Sequence, residues 1–160
     1  MGEAPEPNLI FLTKAQPVRF RAEPSFEVVW TLSSDTVDEI QRVLKSMDDG
    51  TPGVEASAIV SVQGLPIVSA MPRGVDDSII AAMSAAILGV SERATRELAR
   101  GKLQQILIQG DEGYVILKHA GEDALLAVMA KSDSNLGMIF IVMKGVAQKI
   151  SLLLAQKRIR

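Results

Sequence analysis

The chain has 160 residues, 17 basic against 19 acidic, for a net charge of −2 and a pI near 5.5. That balance gives no general attraction to nucleic acid or anionic membrane, so neither is expected as a partner. There is no cysteine, which removes disulfides, thiolate metal sites and cysteine nucleophiles, and 48% hydrophobic with only 4% aromatic residues makes an aliphatic core of about one domain.

Residues 1–34 differ from the rest, with four prolines (Pro5, Pro7, Pro17, Pro24) and three short strand-like runs, Leu9–Leu12, Val18–Arg21 and Phe26–Leu32. They read as an appendage, a β-hairpin or a partly disordered arm, ahead of a domain over residues 35–160. Trp30, the sole tryptophan, reads as a packing anchor fastening that arm to the body. Met1–Pro7 holds two glutamates and two prolines instead of the basic head and apolar run of a secretory signal, so a cytoplasmic location is expected.

Ser34-Asp35-Thr36 opens a first helix with Val37, Ile40, Val43, Leu44 and Met47 at helical spacing, stopped by Asp48-Asp49-Gly50 and Pro52. Two strands follow, Glu55–Val62 and Leu65–Ala70, about a turn at Gln63-Gly64. A two-residue hairpin turn prefers Asn or Asp before Gly, which leaves its type open. Asp76–Lys102 reads as one long helix, capped by Asp76 and Asp77 and ended by Gly101. Its first half interleaves Ala81, Ala82, Ala85, Ala86 and Gly89 with Ile79, Ile80, Met83, Ile87, Leu88 and Val90, and a helix apolar all round is expected to be buried all round. Its second half reads as amphipathic, Ala94 and Leu98 inward, Glu92, Arg93, Arg96, Glu97 and Arg100 outward, with Glu92 and Arg96 at a supportive spacing.

Three strands come next, Leu103–Gln109, Tyr114–Ala120 and Ala124–Lys131, on loops too short for anything but antiparallel pairing. The last lacks polar alternation and belongs inside the sheet. The final helix has cap candidates in Ser132-Asp133-Ser134-Asn135, an inward stripe of Leu136, Ile139, Phe140, Met143, Val146, Ile150, Leu153 and Leu154, and a basic end (Lys157, Arg158, Arg160) that complements its dipole. No transmembrane segment is expected.

The order α-β-β-α-β-β-β-α predicts an α/β three-layer sandwich on a five-stranded antiparallel sheet. Such a sheet is roughly 20–25 Å wide and a helix covers roughly 10 Å. With the outer two helices on one face, the long helix half-covers the other. Its small-residue flank (Ala82, Ala85, Ala86, Gly89) is then bare and fits either a second copy in a symmetric dimer or the N-terminal arm.

Val60-Ser-Val-Gln-Gly-Leu-Pro-Ile-Val-Ser69, Ala81-Ala-Met-Ser-Ala-Ala-Ile-Leu-Gly89, Leu103-Gln-Gln-Ile-Leu-Ile-Gln109 with Tyr114-Val-Ile-Leu117, and Ser134-Asn-Leu-Gly137 resemble the roadblock (dynein light chain–related) family. The resemblance spans about residues 35–155; Gln63 departs from the family's usual Asp-Gly turn, and the first 34 residues match nothing in its pattern. It implies a roadblock/profilin-like fold and a homodimer with one continuous sheet. The sheets would join through Leu103–Gln109, bringing Leu103, Gln105 and Leu107 into the interface beside the paired long helices. It also implies a Ras-like small GTPase as partner, since family members commonly bind one as regulators or scaffolds.

Little in the chain offers catalysis, and no enzyme activity, cofactor or metal is expected. His119 is the only histidine and reads as a rim or packing residue. Gly101-Lys102 lacks the earlier glycine and following hydroxyl of a phosphate loop. Gly110-Asp-Glu-Gly113 is a hairpin loop before it is a calcium loop, and Asp48-Asp49, Asp76-Asp77 and Glu122-Asp123 fall at helix ends or loops. Glu92, Arg93, Arg96 and Arg100 form the candidate partner-docking set. The expected function is a homodimeric adaptor or regulator of a small GTPase, against a nucleotide-independent scaffold or a small-molecule sensor.

Overall fold

Helix α1 (Ser34–Gly50) starts where Ser33, in extended conformation, offers its hydroxyl to the amide of Thr36 at 3.4 Å. Its apolar face buries Ile40, Leu44 and Met47, and it ends at Thr51 in front of Pro52. The structure, a computed structural model, describes residues 32–157. Trp30, the arm's expected strands before Leu32, and Arg158 and Arg160 lie outside that range.

Strands β1 (Val54–Ser61) and β2 (Pro66–Ala70) form the expected hairpin. Its turn is not the two-residue type. The Gly64 amide bonds the Ser61 carbonyl, the Ser61 amide bonds the Leu65 carbonyl, and Gly64 alone takes a positive φ, 93°. Gln63 therefore needs no left-handed backbone, which is why the hairpin tolerates it. Gly64 is also required by packing, because a Cβ there would stand 3.3 Å from Ala82 Cα in the helix above.

That helix, α2 (Asp77–Glu97), is capped by Asp76, whose carboxylate accepts from the Ser78 amide at 2.9 Å. It ends earlier than Lys102. The Ala99 amide bonds the Arg96 carbonyl and the Arg100 amide bonds the Thr95 carbonyl, the paired bonds of a Schellman stop, with Ala99 itself at φ 52°. Strands β3 (Ile106–Gly110), β4 (Gly113–His119) and β5 (Ala124–Lys131) then pair antiparallel in succession.

The sheet order is β2-β1-β5-β4-β3, so β5 lies at the centre, and α2 connects one edge strand to the other. Period-2 alternation divides the core between the faces. Ile59, Ile116, Leu126 and Val128 meet α1 and the last helix, α3 (Leu136–Lys157), in the larger cluster; Ala58, Val60 and Leu125 meet Ala81 and Leu88 of α2 in a smaller one. This is the three-layer arrangement anticipated from the element order.

Asn135 caps α3, its Oδ1 accepting from the Met138 amide at 3.1 Å. The helix buries Ile139, Met143, Ala147, Ile150 and Leu154, while Leu136, Phe140, Val146 and Leu153 pack half-buried beside them. By length and composition alone α3 could cross a membrane, the one such helix among the described residues. Its inner face, however, supplies five side chains to the core of this sheet.

Candidate functional site

Helix α2 buries few of its residues: Ala81, Ser84 and Leu88. The expectation of burial all round does not hold for one chain. Ile79 is 56% exposed, Met83 58% and Val90 72%, and with exposed Ala86 they follow a 4-3-4 spacing along one outward face. Of the small residues singled out earlier, Ala82, Ala86 and Gly89 lie on this exposed arc and Ala85 is half-buried at its side. The signal for the larger apolar members was legible, since no polar residue interrupts that spacing before Arg93.

The two sheet edges differ in chemistry. On β2, Pro66 has no amide to donate, and the Ser69 carbonyl is taken by Gln41 Nε2 at 2.8 Å. The Ser69 hydroxyl donates to the Asp77 carboxylate. β3 contains no proline, pairs only with β4 among the described residues, and exposes Leu107 (43%) and Ile108 (38%). An unprotected apolar edge is a template for another strand.

Of the three strand residues expected at that edge, only Leu107 lies in β3. Leu103 and Gln105 are half-buried in the connection before it, because the early stop of α2 leaves residues 98–105 to descend to the sheet. Leu103 packs with Ile106 against the smaller cluster.

The charged end of α2 also departs from the amphipathic reading. Ala94 and Leu98 face outward, and the half-buried residues are Ser91, Glu92 and Thr95. Glu92 turns toward the sheet, its carboxylate 3.5 Å from His119 Nε2, while Arg93 pairs with Glu97 at 3.9 Å in solvent. Glu92, Thr95, Arg96, Lys102 and His119 border an open cleft of about 660 Å³ between this end and the sheet. Arg93, Arg96 and Arg100 are exposed, and the Arg100 guanidinium donates to the Leu98 carbonyl at 2.9 Å.

Residues 39–130 match the Roadblock/LC7 domain, more than half of the chain. The chain belongs to the roadblock/LC7 family. The uncharacterized protein MJ1340 of Methanocaldococcus jannaschii is 39% identical to this roadblock protein over 111 residues, covering 69% of this chain and 96% of its own. Among solved structures, the gliding protein MglB from Thermus thermophilus superposes with a TM-score of 0.70 at 16% identity, covering 78% of this chain and 95% of that one. A structure described as MglB with tetrameric arrangement gives 0.72 at 17% identity, covering 78% and 94%. At such identities the likeness is one of fold.

Among the described residues of this roadblock domain, no group of three or more His, Asp or Glu is placed to hold a metal ion. Asp48, at the C-terminal end of α1, is the one described group with a shifted titration. Burial raises its carboxyl above the ordinary 3.8, Asp49 adds to the rise, and the Ser57 hydroxyl opposes it. Ser57 Oγ and Asp48 Oδ1 are both buried without completing a hydrogen bond. The pair sits under α1, away from the α2 face.

Proposed function

We propose that this roadblock protein is a cytoplasmic, non-enzymatic homodimer that docks a Ras-like small GTPase on its paired α2 helices. The observation that carries the dimer is the conjunction of an open β3 edge with an exposed apolar face on α2, in a sheet whose other edge is blocked. Pairing β3 with β3 about a two-fold axis makes one continuous sheet, and the same axis sets Ile79, Met83, Ala86 and Val90 against their equivalents. Membership of the roadblock family supports the GTPase, and the guanidinium groups of Arg93, Arg96 and Arg100, duplicated by the axis, supply a polar rim for it. Stimulation of hydrolysis, where it occurs, proceeds by ordering the GTPase's own switch loops.

Light scattering at low micromolar concentration tests the dimer; a monomer mass removes it. Tagged protein incubated with lysate of its source organism, with excess GDP or a non-hydrolysable GTP analogue, tests the partner. Retention of a Ras-like GTPase in one nucleotide state supports the regulator. Equal retention in both makes the protein a scaffold that does not sense nucleotide, and retention of no GTPase overturns the partner assignment.

A further inference from the structure

On the face of the sheet opposite α2, an open cleft of about 560 Å³ lies beside α3. Gln104 and Lys118 line it from the sheet side, and Lys144, Gln148, Ser151 and Leu152 from the helix. We propose that this flank of α3 docks an acidic amphipathic segment of a partner protein.

Helix α3 contains no acidic residue, and its Ile141, Lys144, Gln148 and Leu152 follow one another at 3-4-4 spacing, so they share one side of it. All four are exposed, Ile141 at 76% and Leu152 at 64%. Three of them line the cleft with Lys118 of β4, whereas Val142, Val146 and Lys149 turn to the other flank, toward α1. The sheet beside this strip has the same chemistry. Paired residues share a face, so Leu107, opposite the core residue Ile116, lies on the α3 side of β3, 43% exposed. Lys118, two residues beyond Ile116, is on that side too, and its ammonium spends one donor on the Gln104 carbonyl at 3.4 Å. Exposed apolar side chains around two ammonium groups, with no carboxylate lining the cleft, complement a helix that carries leucine-like side chains and carboxylates.

The surroundings favour a narrow segment over a flat anionic bilayer. Helix α1 packs beside α3 and has five acidic residues against two basic, and at the far end of β4 the turn to β3 exposes Asp111 and Glu112. A bilayer laid across this face meets those carboxylates together with the lysines. A single helix, about 10 Å across, meets the strip alone. Its carboxylates belong at the Lys118 and Lys144 end, away from Asp111 and Glu112.

The probe is a fluorescein-labelled helical peptide of Glu, Leu and Ala, compared with a matched peptide of Lys, Leu and Ala. Fluorescence anisotropy with the full chain is expected to show saturable binding of the acidic peptide and none of the basic one. Lys144→Glu is expected to weaken that binding about tenfold, while Lys149→Glu, the same charge change on the flank toward α1, keeps it within about twofold. Both positions are exposed, so neither change threatens the fold. No binding of the acidic peptide, equal binding of both peptides, or equal losses in the two variants each overturns the proposal. Cosedimentation with phosphatidylserine vesicles that Lys144→Glu abolishes, without peptide binding, also overturns it and assigns the strip to a membrane surface. No readout depends on a GTPase.

Discussion

Ala99 holds the left-handed backbone at the C-terminal stop of α2, φ 52°, a conformation that costs an L-residue with a Cβ about 1 kcal/mol. Ala99→Gly is therefore expected to stabilise the protein by about that amount, read as a rise in the urea midpoint with unchanged slope. The stop was misplaced in the sequence because alanine carries no signal for it, whereas Gly101, φ 82°, carries the usual one two residues later. Asp48 presents the opposite situation, a charge the fold does not want. Its raised carboxyl means the folded state binds a proton more tightly than the unfolded state, so protonation favours folding. Its destabilising effect is full above the folded pKa and fades as pH falls through that value toward 3.8. Asp48→Asn is expected to raise the melting temperature at pH 7, with the advantage over the parent shrinking as pH approaches 4. Burial against the fold causes this, with Ser57 of β1 opposing it, a juxtaposition no local pattern announces.

At the scale of elements, sequence patterns sufficed for existence, type and order among the described residues, though not for the stop of α2. What they could not supply was which side of a uniformly apolar helix meets solvent in a single chain. For α2, residues on all sides satisfy the same pattern, and its rotation is seen only in the fold, where Ala81, Ser84 and Leu88 meet the sheet and Gly64 lies under Ala82. The charged end was misassigned for a related reason: Glu92 found His119 on β4, a partner 27 positions away, while Arg93 and Glu97 formed the local pair. Because Val90 is largely exposed, Val90→Glu is expected to leave the far-ultraviolet spectrum and melting behaviour of the monomer fold intact. In light scattering it is expected to convert the dimer to a monomer, by placing like charges across the proposed axis. Leu44→Ala, buried under α1, acts in the other sense: a loss of about 3 kcal/mol in unfolding free energy with no specific effect on assembly.

At the scale of the whole molecule, the division of three helices between two faces could be anticipated because the sheet's width and a helix's breadth leave few arrangements. The bounds of the edge strand were harder, since an edge strand and an interior strand differ in neighbours rather than in composition, and Leu103 and Gln105 lie outside β3. The docking assignment is tested at this scale. Arg93→Glu with Arg96→Glu is expected to abolish capture of the GTPase while the mass in light scattering stays that of the dimer; undiminished capture removes the α2 end from the docking surface. The unequal edges carry a further consequence for assembly. A sheet with two adhesive edges has no natural end point, and every copy added offers a place for the next. Here Pro66 and the Gln41 cap leave β2 with little to offer, so joining two copies through β3 consumes the adhesive capacity of both. In the proposed dimer a proline and one glutamine side chain would set the stoichiometry, and replacing them with Val and Ala is expected to turn a finite particle into a growing filament.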